Sequence, residues 1–475
     1  MKKINLESSY LKLPKQFYEK VAAAEFSQPE VLLFNESLAK ELEFPIEDYS
    51  KEELAQIFSG QKLLPGSTPV ALAYAGFQFG HPVPSLGDGR ALLLGELNGF
   101  DIQLKGSGQT PFSRRGDGRS ALGPVIREYI VSEAMYKLGV PTTRALCAVL
   151  TGEEVYRQFG EEPGGVFTRV APSHIRVGTF QYFAFKRDIE SIRLLMDYTI
   201  NRHYPELNVL TEVRERALAL LKAFSQRQGD LIAKWSGLGF IHGVMNTDNC
   251  ALGGFTIDYG PCAFMDEFSF NKVFSSIDER GRYSFFNQVP IIQWNILRLA
   301  DTLLPIISSD EKEAIKLVED KIIPILQSFP SLRSQEFARK LGIEDFQDAD
   351  ENLVMEFLQY LEDESLDFTL SFRNLPALYK GDSDFYPQTE KLLSFISHWK
   401  ARVQSVDHLD SINPIYIPRN HLIQKAIDLS YQGDLSFAKK LLEVLNSPFQ
   451  KNSHSDEFAL PTQEHQRVHR TFCGT

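Results

Sequence analysis

The 475-residue chain has no run of apolar residues approaching the twenty or so that a helix needs to cross a bilayer. A helical membrane protein is therefore not expected. Its first residues, Met1-Lys2-Lys3-Ile4-Asn5-Leu6-Glu7, turn polar at once and lack the apolar core of a secretory signal, which makes the cytoplasm the expected compartment. Cysteine is scarce. Cys147, Cys250, Cys262 and Cys473 form no CxxC pair and no regular framework, which argues against a zinc ribbon and against a disulfide-stapled secreted scaffold. Basic excess is also missing: 50 Lys and Arg stand against 62 Asp and Glu, for a net charge of −12. Binders of a phosphate backbone carry the opposite balance, so neither nucleic acid nor membrane is an expected partner. Internal repeats and low-complexity tracts are absent. What is present is ordinary for a globular protein, with 43% hydrophobic and 24% charged residues. The length suits two or three domains, or one large two-lobed one.

Hydropathy patterning divides the chain. Residues 1–60 read as a flank of short amphipathic helices and turns, for example around Gln28–Leu42. Residues 61–184 are glycine-rich and carry strand signals. Residues 185–445 read as mainly helical, with Ile192, Leu195, Met196 and Ile200 on one helix face and Val213, Ala217, Leu220, Leu221 and Phe224 on another. Residues 446–475 read as an extended polar tail that carries Cys473. A smaller β-containing part followed by a larger helical one is an α+β, two-lobe plan.

Within the strand-rich part, Ala91–Leu97 ends at Asn98-Gly99, a strong hairpin signal. Phe100, Ile102 and Leu104 then alternate with Asp101, Gln103 and Lys105, which predicts Lys105 on the polar face of the second strand. The tetrapeptide Gly-Asp-Gly-Arg occurs on both sides, as Gly87–Arg90 and Gly116–Arg119. Glycine lets backbone N–H groups approach phosphate oxygens, and a nearby Lys or Arg neutralises their charge; the plain alternative is two ordinary turns. A helix is predicted over Leu122–Leu138, with Glu128 at the margin of its apolar face. A strand lysine paired with a helix glutamate is how protein kinases hold ATP phosphates. Arg169 and Arg176, expected on a strand-turn-strand element, can grip phosphate oxygens in a fork geometry or make surface ion pairs.

The most specific segment runs from His242 through Asn249 to Asp258. Magnesium takes oxygen ligands, commonly one or two side chains plus phosphate oxygens, and Asn249 with Asp258 supplies that set. Ile257-Asp258-Tyr259-Gly260 resembles the kinase D-F-G element, and His242 with Asn249 resembles its H-x-D-x-x-x-x-N loop. One position departs: Val244 stands where that loop has its aspartate. Asp248 is the carboxylate next to Asn249 that can act as proton acceptor in its place.

Taken together these motifs resemble the SelO family, also called YdiU proteins, protein adenylyltransferases of pseudokinase fold. The resemblance is carried by Gly87–Arg90, Leu104–Arg114, Gly116–Arg119, Ile126-Arg127-Glu128-Tyr129, Arg169 with Arg176, Gly243–Asn249 and Ile257–Pro261, and covers nearly the whole chain. It implies a protein-kinase-like two-lobe fold with ATP reversed, so that AMP is transferred to Ser, Thr or Tyr hydroxyls of proteins and pyrophosphate leaves, with UTP as a variant donor. It implies Gly87, Gly89, Arg90, Lys105, Asp117, Gly118, Arg169, Arg176 and Asp258 at the nucleotide, Asn249 and Asp258 on Mg2+ or Mn2+, Glu128 paired with Lys105, and Asp248 as catalytic proton acceptor. It also likens Cys473 to the family's redox-active terminal residue, which in some members pairs with a cysteine after the D-F-G-like element. Here Val273–Asp278 has no cysteine and Cys262 is the nearest candidate. The alternatives are a true kinase with Asp248 as base and a non-catalytic nucleotide-binding scaffold. A monomer is expected.

Overall fold

The computed structural model describes residues 4–157 and 160–472, so Cys473 lies outside the described residues. Its centre is an antiparallel sheet built almost entirely from the first 171 residues. The strands are β1 (Tyr18–Lys20), β2 (Glu30–Phe34), β3 (Val70–Leu72), β4 (Gly76–Gln78), β5 (His81–Val83), β6 (Ala91–Leu97), β7 (Phe100–Lys105), β8 (Ser120–Ala121), β9 (Arg144–Arg157), β10 (Gly160–Ala171), β11 (Phe240–Ile241) and β12 (Ala263–Phe264). The main sheet runs β1-β3-β6-β7-β10-β9-β2, with β8 beside β10; β4–β5 and β11–β12 are separate small hairpins. Chain beyond Ala171 is mostly helical.

The β6–β7 hairpin turns at Asn98-Gly99, both with positive φ (48° and 80°), as a tight primed turn requires. Register then sets Lys105 opposite both Ala91 of β6 and Phe167 of β10, in the middle of the sheet. The alternating polar residues of β7 do not face water. Asp101 and Gln103 are buried, because this face of the sheet turns toward the helical half of the chain. There Gln103 Nε2 donates to Asp88 and Asp101 accepts from the His174 backbone N–H.

Residues 1–60 differ from the helical expectation. Glu30–Phe34, inside the stretch read as helical, is a strand that pairs with β9. Five residues with four consecutive apolar side chains fit either period, and the free edge of β9 decides for the strand. The following helices are real: Lys51–Ser59 starts in a capping box of Ser50 and Glu53 and stops at Gly60, φ 90°. Leu38, Leu54 and Phe58 of this region cover one face of the sheet, against Leu104, Leu146 and Val166.

The opposite face carries helix Leu122–Lys137. Val125, Ile126 and Ile130 are fully buried there with Ala148 and Phe167, each apolar side chain contributing about 1.5–3 kcal/mol. The helix is also boxed in from behind. Helix Asn420–Tyr431 packs on it, and Tyr431 Oη accepts from the Gly123 N–H (3.2 Å) and donates to Glu162 (2.5 Å). Polar residues at mid-helix, Arg127, Glu128 and Glu133, are consequently buried.

The described part of the tail, from Asn446, makes two short 3-10 turns and otherwise runs without regular structure. Near its end, Thr471 pairs with Ser275, and its Oγ1 donates to the Pro261 carbonyl (2.5 Å). Cys262 is buried, and burial pushes its thiol up to about 12. No helix of the described residues is long and apolar enough to cross a membrane.

Candidate active site

The sheet's inward face and the His242–Gly260 segment enclose a cleft of ≈ 370 Å³. At its floor, Lys105 Nζ meets Glu128 Oε2 at 2.7 Å and also pairs with Asp258 Oδ1. Arg169, reaching in from β10, bridges the same two carboxylates, with Nε 3.1 Å from Glu128 Oε1 and Nη2 3.1 Å from Asp258 Oδ1. Two cations and two carboxylates thus form one closed cluster. Burial alone raises the Asp258 carboxyl, but the adjacent Lys105 ammonium and Arg169 guanidinium override it and hold the group well below the usual range. Both cations take Oδ1, and Asp258 lines the cleft. The Asp258 backbone is left-handed, φ 69°, an uncommon conformation for a non-glycine residue that aims this side chain at the lysine.

Arg176 sits elsewhere than expected. It is the N-cap of helix Val177–Phe185 and lies outside the main sheet, joined to Ala251 by an isolated antiparallel bridge, because β10 ends at Ala171 and Pro172 follows. Its guanidinium lies 4.3 Å over the Tyr74 ring, donates to the Asp248 carbonyl (3.1 Å) and approaches Asp88 at 3.9 Å. Arg90 and Arg114 also reach the cleft wall. The region therefore concentrates positive charge in a chain whose net charge is −12.

The loop carrying Asp248 and Asn249 is held from every side. Thr247 Oγ1 donates to Gln181 and accepts from the Phe77 N–H; Asn246 Oδ1 accepts from Tyr283 Oη (2.6 Å) and the Phe79 N–H (3.1 Å). His242 is buried, with Nε2 3.0 Å from the Ile257 carbonyl and Nδ1 accepting the Val244 N–H. These contacts select the neutral Nε2–H tautomer, and burial lowers its pKa. The imidazole thereby ties the loop to the Asp258 segment. Asn249 Nδ2 donates to the Val244 carbonyl (3.0 Å), which turns its amide oxygen the other way. Asp248 is buried, and its Oδ1 has no hydrogen-bond partner. Burial pushes its carboxyl up to about 6, against the pull of Arg176. A carboxylate with that value is ionised at neutral pH and still basic enough to accept a proton.

Of the residues singled out in the sequence, Gly89, Arg90, Lys105, Arg169, Arg176, Asp248, Asn249 and Asp258 line the cleft, and Glu128 supports it from beneath. Gly87 lies just behind the wall with φ 61°, where a Cβ would run into the Phe112 ring. Asp117 and Gly118 are not brought to the wall. Asp117 accepts from the Arg119 N–H and pairs with Arg157, and Gly118 packs on the Gly108 backbone. That loop sends Arg114 to the cleft instead. Sequence reasoning also missed Tyr74, Gln78, Gln103 and Asn246 as wall residues. Asn246 sat inside the quoted segment, while Tyr74 and Gln78 carry no motif at all.

A largely buried lysine–glutamate–aspartate cluster beside an Asp-Asn loop is the arrangement expected of a kinase-like nucleotide site, with Val244 in place of the usual loop aspartate. Comparison with known proteins agrees. Residues 1–446 match the family described as protein adenylyltransferase SelO. Proteins named protein nucleotidyltransferase YdiU are similar over almost the entire length. That of Agrobacterium fabrum (strain C58) is 46% identical, with 99% of this chain and 100% of the relative covered. That of Rhizobium rhizogenes (strain K84) is 48% identical (99% and 97%), and that of Bacillus cereus (strain AH187) 45% identical (99% and 98%). The chain belongs to the SelO family, and it is a nucleotidyltransferase.

Proposed function

We propose that this enzyme transfers AMP from ATP to Ser, Thr or Tyr hydroxyls of proteins, and that the cleft around Lys105, Asp248 and Asp258 is where it does so. The observation that carries the reading is the pairing of an intact phosphate-holding cluster with a buried, basic Asp248 and an inert Val244. The triphosphate lies with its γ end toward Arg169 and Arg176, both almost wholly buried, and its α-phosphate toward Asp248. The acceptor hydroxyl gives its proton to Asp248 as its oxygen attacks the α-phosphorus; the bond from that phosphorus to the β-bridging oxygen breaks, and pyrophosphate leaves. Lys105 and the arginines neutralise the tail, and Glu128 fixes Lys105 and Arg169 in place.

The donor set fits a hard divalent cation: Asp258 Oδ2 and the Asn249 amide oxygen are both oxygen ligands. Among the described residues no group of three or more His, Cys, Asp or Glu could hold a metal on its own, so Asn249 and Asp258 would hold Mg2+ or Mn2+ together with the bound nucleotide. Such a cation supplies charge neutralisation on the phosphate oxygens. A two-lobe, kinase-like division near residue 185 goes with this reading, as does a cytoplasmic monomer.

Label from α-labelled ATP is expected on protein, with pyrophosphate released. Label from γ-labelled ATP instead would mean a kinase with Asp248 as base, and no label from either would mean a scaffold. The same assay with α-labelled UTP measures the preference between the two donors.

A further inference from the structure

The loop carrying Asp248 is roofed by the β4–β5 hairpin. Strand β4 lies along the loop: the N–H groups of Phe77 and Phe79 donate to Thr247 and Asn246, and Gly76 faces Asp248. Alternation then sends the Phe77 side chain outward. Its ring lies 5.4 Å from Trp294, edge to face, and 5.9 Å from Phe185, which is 40% exposed. Three aromatic rings thus meet at the surface beside the catalytic loop.

Cations frame them. Arg282 stacks over Trp294 at 5.1 Å and Arg298 at 5.3 Å, and Arg282 also borders Gly80 of the hairpin. Arg298 pairs with Asp301 (3.1 Å), but among the described residues Arg282 has no carboxylate partner. Asp278, four residues before it in the chain, spends its oxygens on the backbone N–H groups of Arg282 and Tyr283. The Nε atoms of both arginines are buried without a hydrogen-bond partner. Lys186 and Arg187 are exposed directly after Phe185. In a chain of net charge −12, a cationic, aromatic surface beside the proton acceptor calls for a specific partner. Aromatic rings and arginines are the side chains that dominate protein recognition, and arginine clusters select acidic segments.

We propose that the Trp294–Arg282–Arg298 surface docks the acceptor protein and selects hydroxyls that lie next to acidic residues. The proposal rests on the transfer reading above. An acidic flank paired with the arginines holds the neighbouring serine, threonine or tyrosine at the hairpin edge, with its hydroxyl directed past Gln78 to Asp248. The rings take the adjoining apolar side chains.

Two serine peptides of equal length test this, one flanked by glutamates and one by lysines, with α-labelled ATP as donor. The wild-type enzyme is expected to favour the glutamate peptide in kcat/KM. The double substitution Arg282→Glu and Arg298→Glu should lower that value roughly tenfold and reverse the preference, leaving ATP affinity by calorimetry unchanged. No preference in the wild type, or a preference untouched by charge reversal, overturns the proposal.

Binding is read independently of transfer by tryptophan fluorescence, since Trp235 and Trp399 are buried and Trp294 is the remaining one of three. The glutamate peptide should shift the emission of the ATP-loaded enzyme, the lysine peptide should not, and Trp294→Phe should abolish the response. If the shift occurs without label transfer, docking stands and the transfer reading falls. If the glutamate peptide gives no shift, or the same shift in the charge-reversed enzyme, docking falls whatever the transfer result.

Discussion

Gly76 has no role that its sequence context announces, yet it decides where Asp248 can sit. Its φ is not in the left-handed region, so alanine is compatible with the backbone. The conflict is purely one of space. A Cβ on Gly76 would overlap Asp248 Oδ1 and lie 2.9 Å from both Asp248 Cγ and Leu86 Cδ1. Carbon atoms in ordinary contact stay about 3.5–4.0 Å apart, so the carboxylate must retreat by roughly 1 Å. Displacing a reacting group by about 1 Å costs on the order of 100-fold in rate, equivalent to about 2.7 kcal/mol of barrier. Gly76→Ala is thus expected to lower AMP transfer about 100-fold while leaving ATP affinity and the melting temperature close to wild type. Label incorporation from α-labelled ATP, calorimetric titration with ATP and thermal unfolding measure the three quantities. Adding Leu86→Ala relieves the apolar overlap but not the carboxylate, so the double variant should stay slow. Transfer by Gly76→Ala within about threefold of wild type, with the fold intact, would refute the placement of Asp248 as proton acceptor.

Glu128→Ala leaves two cations, Lys105 and Arg169, sharing Asp258 alone in a mostly buried cluster; a loss of about 3–5 kcal/mol in urea unfolding is expected, with part regained in Glu128→Ala/Arg169→Met, and a loss under about 1 kcal/mol would contradict the cluster. Lys105→Ala removes one of the two cations that contact both carboxylates and should cut single-turnover transfer by at least about 100-fold; near-wild-type rates would undo the site assignment. Lys340, outside the site, is 3% exposed with its Nζ 4.6 Å over the Phe372 ring and no ion-pair partner among the described residues, and burial pushes its ammonium down to about 7. An unfolded lysine titrates near ~10.4, so the unfolded chain binds a proton the folded one resists. Stability should therefore rise between pH 7 and pH 9, by up to about 1.4 kcal/mol per pH unit. Lys340→Met should flatten that slope and stabilise the protein at pH 7; an unchanged slope in urea titrations would exclude Lys340 as its source.

Much of the site was legible because its chemistry is written in local patterns. Hairpin periodicity put Lys105 on the inward face of β7, and the spacing from His242 to Asp258 delivered the loop and the Asn249 and Asp258 side chains that line the cleft. The differences in placement share a cause. Asp117 and Gly118 repeat the Gly-Asp-Gly-Arg pattern, but Asp117 pairs with Arg157, 40 residues away in sequence, and a local motif cannot report that. Arg176 was expected on a strand-turn-strand element, but the chain leaves the main sheet at Ala171, and Arg176 caps a helix and bridges to Ala251, 75 residues on in the sequence.

The sequence by itself determined the family, the order of strands before helices, and most of the charged side chains that line the cleft, since each depends on residue type and short spacing. Only the tertiary structure decided how they act together. It closed Lys105, Glu128, Arg169 and Asp258 into one cluster, raised the Asp248 carboxyl by burying it, and laid Gly76 and the aromatic–arginine surface against the catalytic loop. Those outcomes depend on burial and on contacts between residues far apart in the chain, and neither is encoded in any short window of sequence.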